Sequence, residues 1–514
     1  MSTDFLEREG TRLPANVAVR RVLVDAAQWS QSAQSLRDLD ACLLALWGAD
    51  DRDVDGMFRI FAAFLLPDHV LLLQHAMPAA TPVYPSLAGW FPVADRLQRA
   101  VYDLLGLQPD AGDRRPWLRH GGWPDDHFPL RRDSDSTQTF PVEPAPYSFV
   151  PVSGDGVHEI AVGPVHAGTI EPGHFRFSVV GEKVLRLEAR LGYTHKGIAK
   201  RFEGLPLAEG HHLAARICGD STVAFSWAYC AALESITDTE LPRRAASLRA
   251  LALERERLAN HLGDLGALGN DAGLAFGLVQ FSSLKEQLLR LNQEAFGKRY
   301  LFDYLVPGGV VTDLGMHAIR AMLDEATMLE QAVATLRTIY DDHAGLQDRF
   351  RDAGQVSPEL ARAHGALGLA GRASGTAQDV RIDLPWPPYD WLRPRRVLRF
   401  GGDVAARVLV RFDEIIESLR LCRSLLETLP AGPSLITLPT AATGRLGLGL
   451  IEGWRGPVLI ALETAADNRV RRCHAHDPSW QNWPLVEYAI HGNIVPDFPL
   501  INKSFNLAYS GHDG

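Results

Sequence analysis

Phe175-Arg176-Phe177-Ser178-Val179-Val180-Gly181-Glu182-Lys183-Val184-Leu185-Arg186-Leu187-Glu188-Ala189 alternates apolar and polar residues on both sides of a Gly-Glu turn. A period of two turns one face of each arm towards a core, so the stretch predicts a β-hairpin. The pattern changes after it. Leu248, Leu251, Leu258, Leu262 and Leu265 share one helical face, and Met322, Ala326, Leu329, Val333, Leu336 and Tyr340 share another, because residues three and four apart stack on one side of a helix. The hairpin thus opens a domain, residues 152–514, that is mainly a helical bundle with a small β-sheet at its entrance.

On the other side of the hairpin, Ser134, Ser136, Pro141, Pro144 and Pro146 interrupt any regular period, which marks residues 131–151 as a linker. Before it, short apolar runs such as Val70-Leu71-Leu72-Leu73 alternate with a helical pattern over residues 94–105. Residues 1–130 therefore read as a small α+β domain. The whole chain is of the α+β class, with neither an internal repeat nor a low-complexity tract.

A chain of 514 residues exceeds what one hydrophobic core supports, which agrees with two or more domains. Its formal charge of -10, without a basic stripe, excludes nucleic acid as a partner. The five cysteines, Cys42, Cys218, Cys230, Cys422 and Cys473, are odd in number and scattered, which points to a reducing compartment rather than a disulfide framework. No leader pattern opens the chain, and Pro67, Asp68 and His69 break the apolar stretch from Ile60 to Leu73. A cytoplasmic protein is expected. Gly444-Arg445-Leu446-Gly447-Leu448-Gly449 lacks the spacing of a dinucleotide fingerprint, so no NAD site is expected. Arg469, Arg471, Arg472, His474 and His476 form a charge-rich run, which reads as a solvated or partner-facing surface.

Three blocks agree in order and type with one family. They are Gly163-Pro164-Val165-His166-Ala167-Gly168-Thr169-Ile170-Glu171-Pro172-Gly173-His174-Phe175-Arg176-Phe177, then Gly192-Tyr193-Thr194-His195-Lys196-Gly197, then Arg216-Ile217-Cys218-Gly219. Together they resemble the large subunit of membrane-bound nickel-iron hydrogenases of the formate hydrogenlyase type, itself similar to the quinone-site subunit of respiratory complex I. Asn482-Trp483-Pro484 and residues 492–501 continue the resemblance. Tyr84-Pro85-Ser86-Leu87, residues 102–107 and Gly122-Trp123-Pro124 are similar to the small peripheral complex I subunit fused to that large subunit.

The resemblance implies a metal scaffold without its metal. In the hydrogenases two C-x-x-C pairs hold nickel and iron, because soft thiolates suit those metals and an i, i+3 spacing presents two sulfurs together. Here only Cys218 stands at such a position. Ser221, Ala508 and Gly511 occupy the other three, and Phe225 stands where a histidine is usual. A nickel-iron hydrogenase is thereby disfavoured. The cavity in complex I likewise lacks these cysteines and admits a quinone.

Carried over position by position, the resemblance implies that His166 faces the cavity with His174 nearby, and that Glu171 carries protons. The other reading of Glu171 is a loop carboxylate paired with Arg176 or Arg190. Asp220 is either a buried acid of raised pKa that relays protons or, with Ser221, a helix cap. Cys218 is a packed core residue or a redox-active thiol. Arg216 and His195 are further cavity candidates, His195 with Lys196 forming a polar cluster at a partner interface. The tyrosine that meets the quinone in complex I has no match in residues 217–220. The resemblance implies no cofactor in this chain, an iron-sulfur cluster in a small partner subunit, antiporter-like membrane subunits, and a hetero-oligomeric complex that holds the chain peripherally at the cytoplasmic face. Two functions follow: an oxidoreductase subunit acting on a quinone or relaying protons, or a non-catalytic coupling subunit.

Overall fold

The structure, a computed structural model, describes residues 10–135, 137–141, 146–166 and 170–514. Its first part is a five-stranded sheet of β1 (Thr11–Arg12), β2 (Val19–Val24), β3 (Cys42–Asp51), β4 (Met57–Leu65) and β5 (Val70–Pro78), in the order β1-β2-β5-β4-β3. Strands β2 and β5 run parallel and the other pairs antiparallel. Parallel neighbours need a crossover, and helix α1 (Ala26–Asp38) begins it. Asp25 caps α1 through a reciprocal box with Gln28, satisfying amide groups that the first turn leaves unpaired. Helix α2 (Ala94–Leu105) packs on β3. Residues 42–47 are buried without interruption, because the second part of the chain also meets this strand: Gln481 donates to the carbonyls of Leu43 and Leu44 at 3.0 and 2.8 Å.

The predicted hairpin is present. Strands β7 (His174–Val180) and β8 (Lys183–Arg190) pair antiparallel around Gly181, and β6 (Val157–Val162) completes the sheet. The bundle consists chiefly of α3 (Thr222–Ile236), α4 (Arg243–Asp271), α5 (Ala275–Phe296), α6 (Met316–Asp342) and α7 (Val404–Glu427). On α6 the buried side chains include all six of the predicted stripe. Helix α4 differs from its reading. Its leucines are buried, but so are Arg249, Glu254, Arg255, Arg257 and His261, because it is the central helix and is packed all round.

A buried charge must be paired, and these are. The Glu414 carboxylate of α7 accepts from Arg372 at 2.7 Å, Arg257 at 3.0 Å and His261 at 2.9 Å. Glu254 accepts from Arg381, Tyr389 and Ser418 at 3.0, 2.7 and 2.6 Å.

A second three-stranded sheet follows the bundle: β9 (Leu446–Gly453), β10 (Gly456–Thr464) and β11 (Val470–His476), an antiparallel meander. Gly449 lies directly under α3, where a Cβ would run into the carbonyl of Ala228. The charge-rich run is therefore a strand in the seam between the two parts rather than an open surface. Arg471 binds Asp53 at 2.7 Å, Arg472 binds Asp51, and His474 stacks on Trp47 with centroids 4.8 Å apart. The chain continues through α8 (Ser479–Ala489), α9 (Phe498–Phe505) and a last turn, α10 (Ser510–Asp513). Asn506, at φ 45°, stops α9 and sends residues 507–509 towards the loop before β7. Among the described residues, no helix is long and apolar enough to cross a membrane.

Candidate functional site

Four segments meet around a cavity of about 410 Å3. The loop before β7 contributes His166 and Glu171, the turn into α3 contributes Cys218 and Asp220, the end of α4 contributes Asp271, and the segment after α9 contributes Asn506 to Tyr509. Arg455, from the tight β9–β10 connection, closes the inner end.

The inner end is a cluster of charges. Arg455 grips Asp220 through two hydrogen bonds of 2.6 Å, a planar fork matching a carboxylate. The Cys218 thiol donates to Asp220 at 3.0 Å, and Arg455 Nη1 lies 3.9 Å from its sulfur. Burial alone would raise the Asp220 carboxyl, but the guanidinium outweighs it and holds the group below its usual range. The expectation of a raised Asp220 fails for that reason. Asp220 is a permanent anion, 38% exposed where it lines the cavity, against 6% for its partner. Burial and the neighbouring Asp220 push the Cys218 thiol far up, so it stays protonated and unreactive at neutral pH.

The cap reading of Asp220 and Ser221 is also corrected. Ser221 is at the N-cap of α3, but its side chain makes no capping bond. Glu256 of α4 accepts instead from the amides of Val223 and Ala224 at 2.7 and 3.3 Å. Burial pushes its carboxyl up to about 8. Glu256 lies on the side of α4 away from the leucine stripe, so spacing carried no signal for it.

Glu171, which is exposed at the cavity, accepts from the Ser510 amide at 3.0 Å. It pairs with neither arginine expected of it: Arg176 binds Glu159 at 3.0 Å and Arg190 lies over the Tyr147 ring. His166 Nε2 donates to the Gly173 carbonyl at 2.8 Å and His174 Nδ1 to that of Gly163 at 3.2 Å. These bonds tie the two ends of the loop together. Burial lowers His174, and its ring rests against Phe149 outside the cavity lining.

Two further candidates lie elsewhere. Arg216 turns away to Asp303, at 2.6 and 2.8 Å. His195 bonds the Asp513 carbonyl at 2.8 Å, and Lys196 reaches the Ile217 carbonyl at 2.9 Å. His195 thereby fastens the last turn, and the Lys196 side chain fastens the turn into α3.

The sequence reading missed two cavity groups. Asp271 ends α4, and burial raises its carboxyl against the pull of Lys503. Tyr509 lines the cavity from the segment after α9. Its ring meets Trp483 edge-on at 5.0 Å, its hydroxyl is 3.5 Å from Asn502 Nδ2, and burial pushes it up to about 12.

The residues present do not fit a nickel-iron centre. Cys218 offers one thiol, and Ser221, Ala508 and Gly511 offer none. Asp220 and Arg455 already occupy the surroundings of that one sulfur, at 3.0 and 3.9 Å. Asp477 fills the space at Gly511, where a Cβ would collide with its carboxylate. Gly511→Cys is therefore expected to destabilise the chain by about 1–3 kcal/mol through overpacking. A lower urea midpoint checks this, and an unchanged one would mean that Asp477 yields freely.

Comparison with known proteins gives two matching family models, the 49 Kd subunit of respiratory-chain NADH dehydrogenase over residues 271–446 and its 30 Kd subunit over residues 22–140. The chain is 31% identical to formate hydrogenlyase subunit 5 of Escherichia coli over 483 residues, covering 92% of this chain and 84% of that protein. It is 30% identical to the carbon monoxide-induced hydrogenase of Rhodospirillum rubrum, covering 69% and 98%. It is 27% identical to the C/D subunit of NADH-quinone oxidoreductase from Bacteroides thetaiotaomicron, covering 83% and 86%. Among solved structures, a chain of the membrane-bound sulfane sulfur reductase, an archaeal respiratory membrane complex, superposes with a TM-score of 0.66 at 25% identity, covering 71% of this chain and all of that one.

Proposed function

Since the chain belongs to the family that includes formate hydrogenlyase subunit 5 and that joins 30 Kd-type and 49 Kd-type modules of respiratory NADH dehydrogenase, we propose that its cavity is the acceptor site of a membrane-associated energy-converting oxidoreductase complex. The acceptor is a quinone-class molecule. The observation that carries this reading is the convergence of Tyr509, Glu171, His166 and Asp271 on one cavity, with Arg455 and Asp220 at its inner end.

The chemistry asks little of the chain itself. A quinone takes two electrons and two protons to become a quinol. The electrons come from an iron-sulfur cluster in a small partner subunit, and antiporter-like partners hold the assembly at the membrane. This chain supplies the protons and the position. Tyr509 donates a hydrogen bond to one carbonyl, which strengthens as negative charge develops there. Glu171 and Asp271 are carboxyls at the cavity that exchange protons. His166 lines the cavity and is held there by its bond to the Gly173 carbonyl.

The test is saturable binding of a short-chain ubiquinone to the purified complex. Tyr509→Phe is expected to weaken it by up to about tenfold, the worth of one lost hydrogen bond. Absence of binding, or a Tyr509→Phe variant that binds equally well, would sink the reading. The Arg455–Asp220 clamp then favours the other one, a coupling subunit that holds the iron-sulfur subunit against the membrane partners.

A further inference from the structure

A second cavity, of about 130 Å3, lies in the seam between the two parts of the chain. Its roof is aliphatic, with Leu97, Ala100, Val101 and Leu104 of α2. Its floor is aromatic. His476 and His512 lie parallel to Trp480, at 6.4 and 3.9 Å between centroids, and Trp47 with His474 forms the neighbouring stack. A cavity of about 150 Å3 between apolar side chains holds a single benzene ring, so this one is of the size for one six-membered ring.

Hydrogen bonding fixes which ring nitrogens are bare. Gln481 Nε2 donates to the carbonyls of Leu43 and Leu44, so its Oε1 must be the atom 3.1 Å from His476 Nε2. That oxygen only accepts, hence His476 carries its proton on Nε2 and leaves Nδ1 as an acceptor. His512 gives its Nδ1 proton to the Asp513 carboxylate at 2.8 Å and leaves Nε2 as an acceptor. Neither His476 Nδ1 nor His512 Nε2 has a partner among the described residues, and both residues are 1% exposed. Burial holds both rings in the neutral form, His476 at about 4.

An apolar pocket with a few convergent polar atoms is the usual form of a small-molecule site, and an unpaired buried acceptor is costly. We propose that this seam cavity binds a one-ring aromatic molecule bearing a hydroxyl group, a phenol or hydroquinone, whose O–H donates to His476 Nδ1 or His512 Nε2. His476 Nδ1 and His512 Nε2 accept and do not donate, so these two atoms hold a hydroxyl and not a carbonyl oxygen; the donors in the lining are the N–H groups of the Arg472 guanidinium.

The test titrates phenol and benzene into the full chain with isotope-labelled histidine rings. One saturable phenol site is expected at millimolar concentration, shifting the His476 and His512 ring nitrogens, with phenol preferred over benzene by about tenfold. Ala100→Phe should abolish it by filling the roof, and the milder Leu104→Trp serves where Ala100→Phe fails to fold. Equal binding of phenol and benzene overturns the proposal. So does persistence of binding in both folded variants, or a cavity that holds water and takes no phenol.

Discussion

Glu171→Gln in the assembled complex is expected to lower quinone-dependent turnover by about a hundredfold, the low end of what a positioned proton donor contributes. The substitution is chosen because it removes little else. Glutamine has the same length and retains an oxygen to accept from the Ser510 amide, the one contact that ties Glu171 to the last turn. Only the exchangeable proton is lost. Quinone affinity should therefore stay within a factor of about two to three, since hydrogen bonding at the amide persists. Turnover equal to that of the wild type would leave Glu171 as a fastener of the Ser510 turn and remove it from the mechanism.

The largest effect on stability is expected at Glu414. Its carboxylate faces Arg257, Arg372 and His261 together deep between α4 and α7, and Glu452 meets Arg372 from the other side at 2.8 Å. Glu414→Gln keeps the volume but leaves two buried guanidinium groups short of their counter-charge, which costs about 3–5 kcal/mol. Urea unfolding followed by circular dichroism measures it, and a loss under about 1 kcal/mol would show that Glu452 and Glu254 take over the pairing. The pH dependence has a definite sign. Burial would raise the Glu414 carboxyl, but Arg372, His261 and Arg257 hold it well below its ordinary value. Its folded pKa is thus depressed, so its contribution is complete above about pH 4.3, the unfolded value, and disappears as pH falls towards the folded one. The variant's stability curve should lack that acidic limb.

What the sequence made legible was whatever local spacing controls. The six residues of the α6 stripe are buried together, and the hairpin turns where Gly181 and Glu182 predict. The sheet of β9 to β11 escaped because Leu446-Gly447-Leu448-Gly449 has the composition of a loop. Its glycines are there to admit the backbone of α3 at contact distance, a demand made by a helix more than 200 residues earlier. The charge run failed in the same way. Nothing near Arg471 and Arg472 announces Asp51 and Asp53, and an arginine at a seam looks like an arginine in water.

The site was half legible. Its loop and its missing thiols are written in short motifs, whereas the protonation of Asp220 is decided by Arg455, 235 positions away. Tyr509 illustrates the opposite error. A tyrosine sought at one aligned position was absent there, and the cavity is lined by one from another segment.

The clamp of Arg455 on Asp220 has a historical consequence. Consider a descendant in which selection favours a four-thiolate centre. A cysteine at position 511 meets Asp477, a second thiol beside Cys218 meets a guanidinium, and loss of the guanidinium strands Asp220 without a counter-charge. The cysteine at position 511 and the loss of the guanidinium each cost stability when made alone. Mutations that are individually deleterious but jointly neutral form a valley in the fitness landscape. An ion pair of this kind acts as a ratchet against a return to a four-thiolate centre.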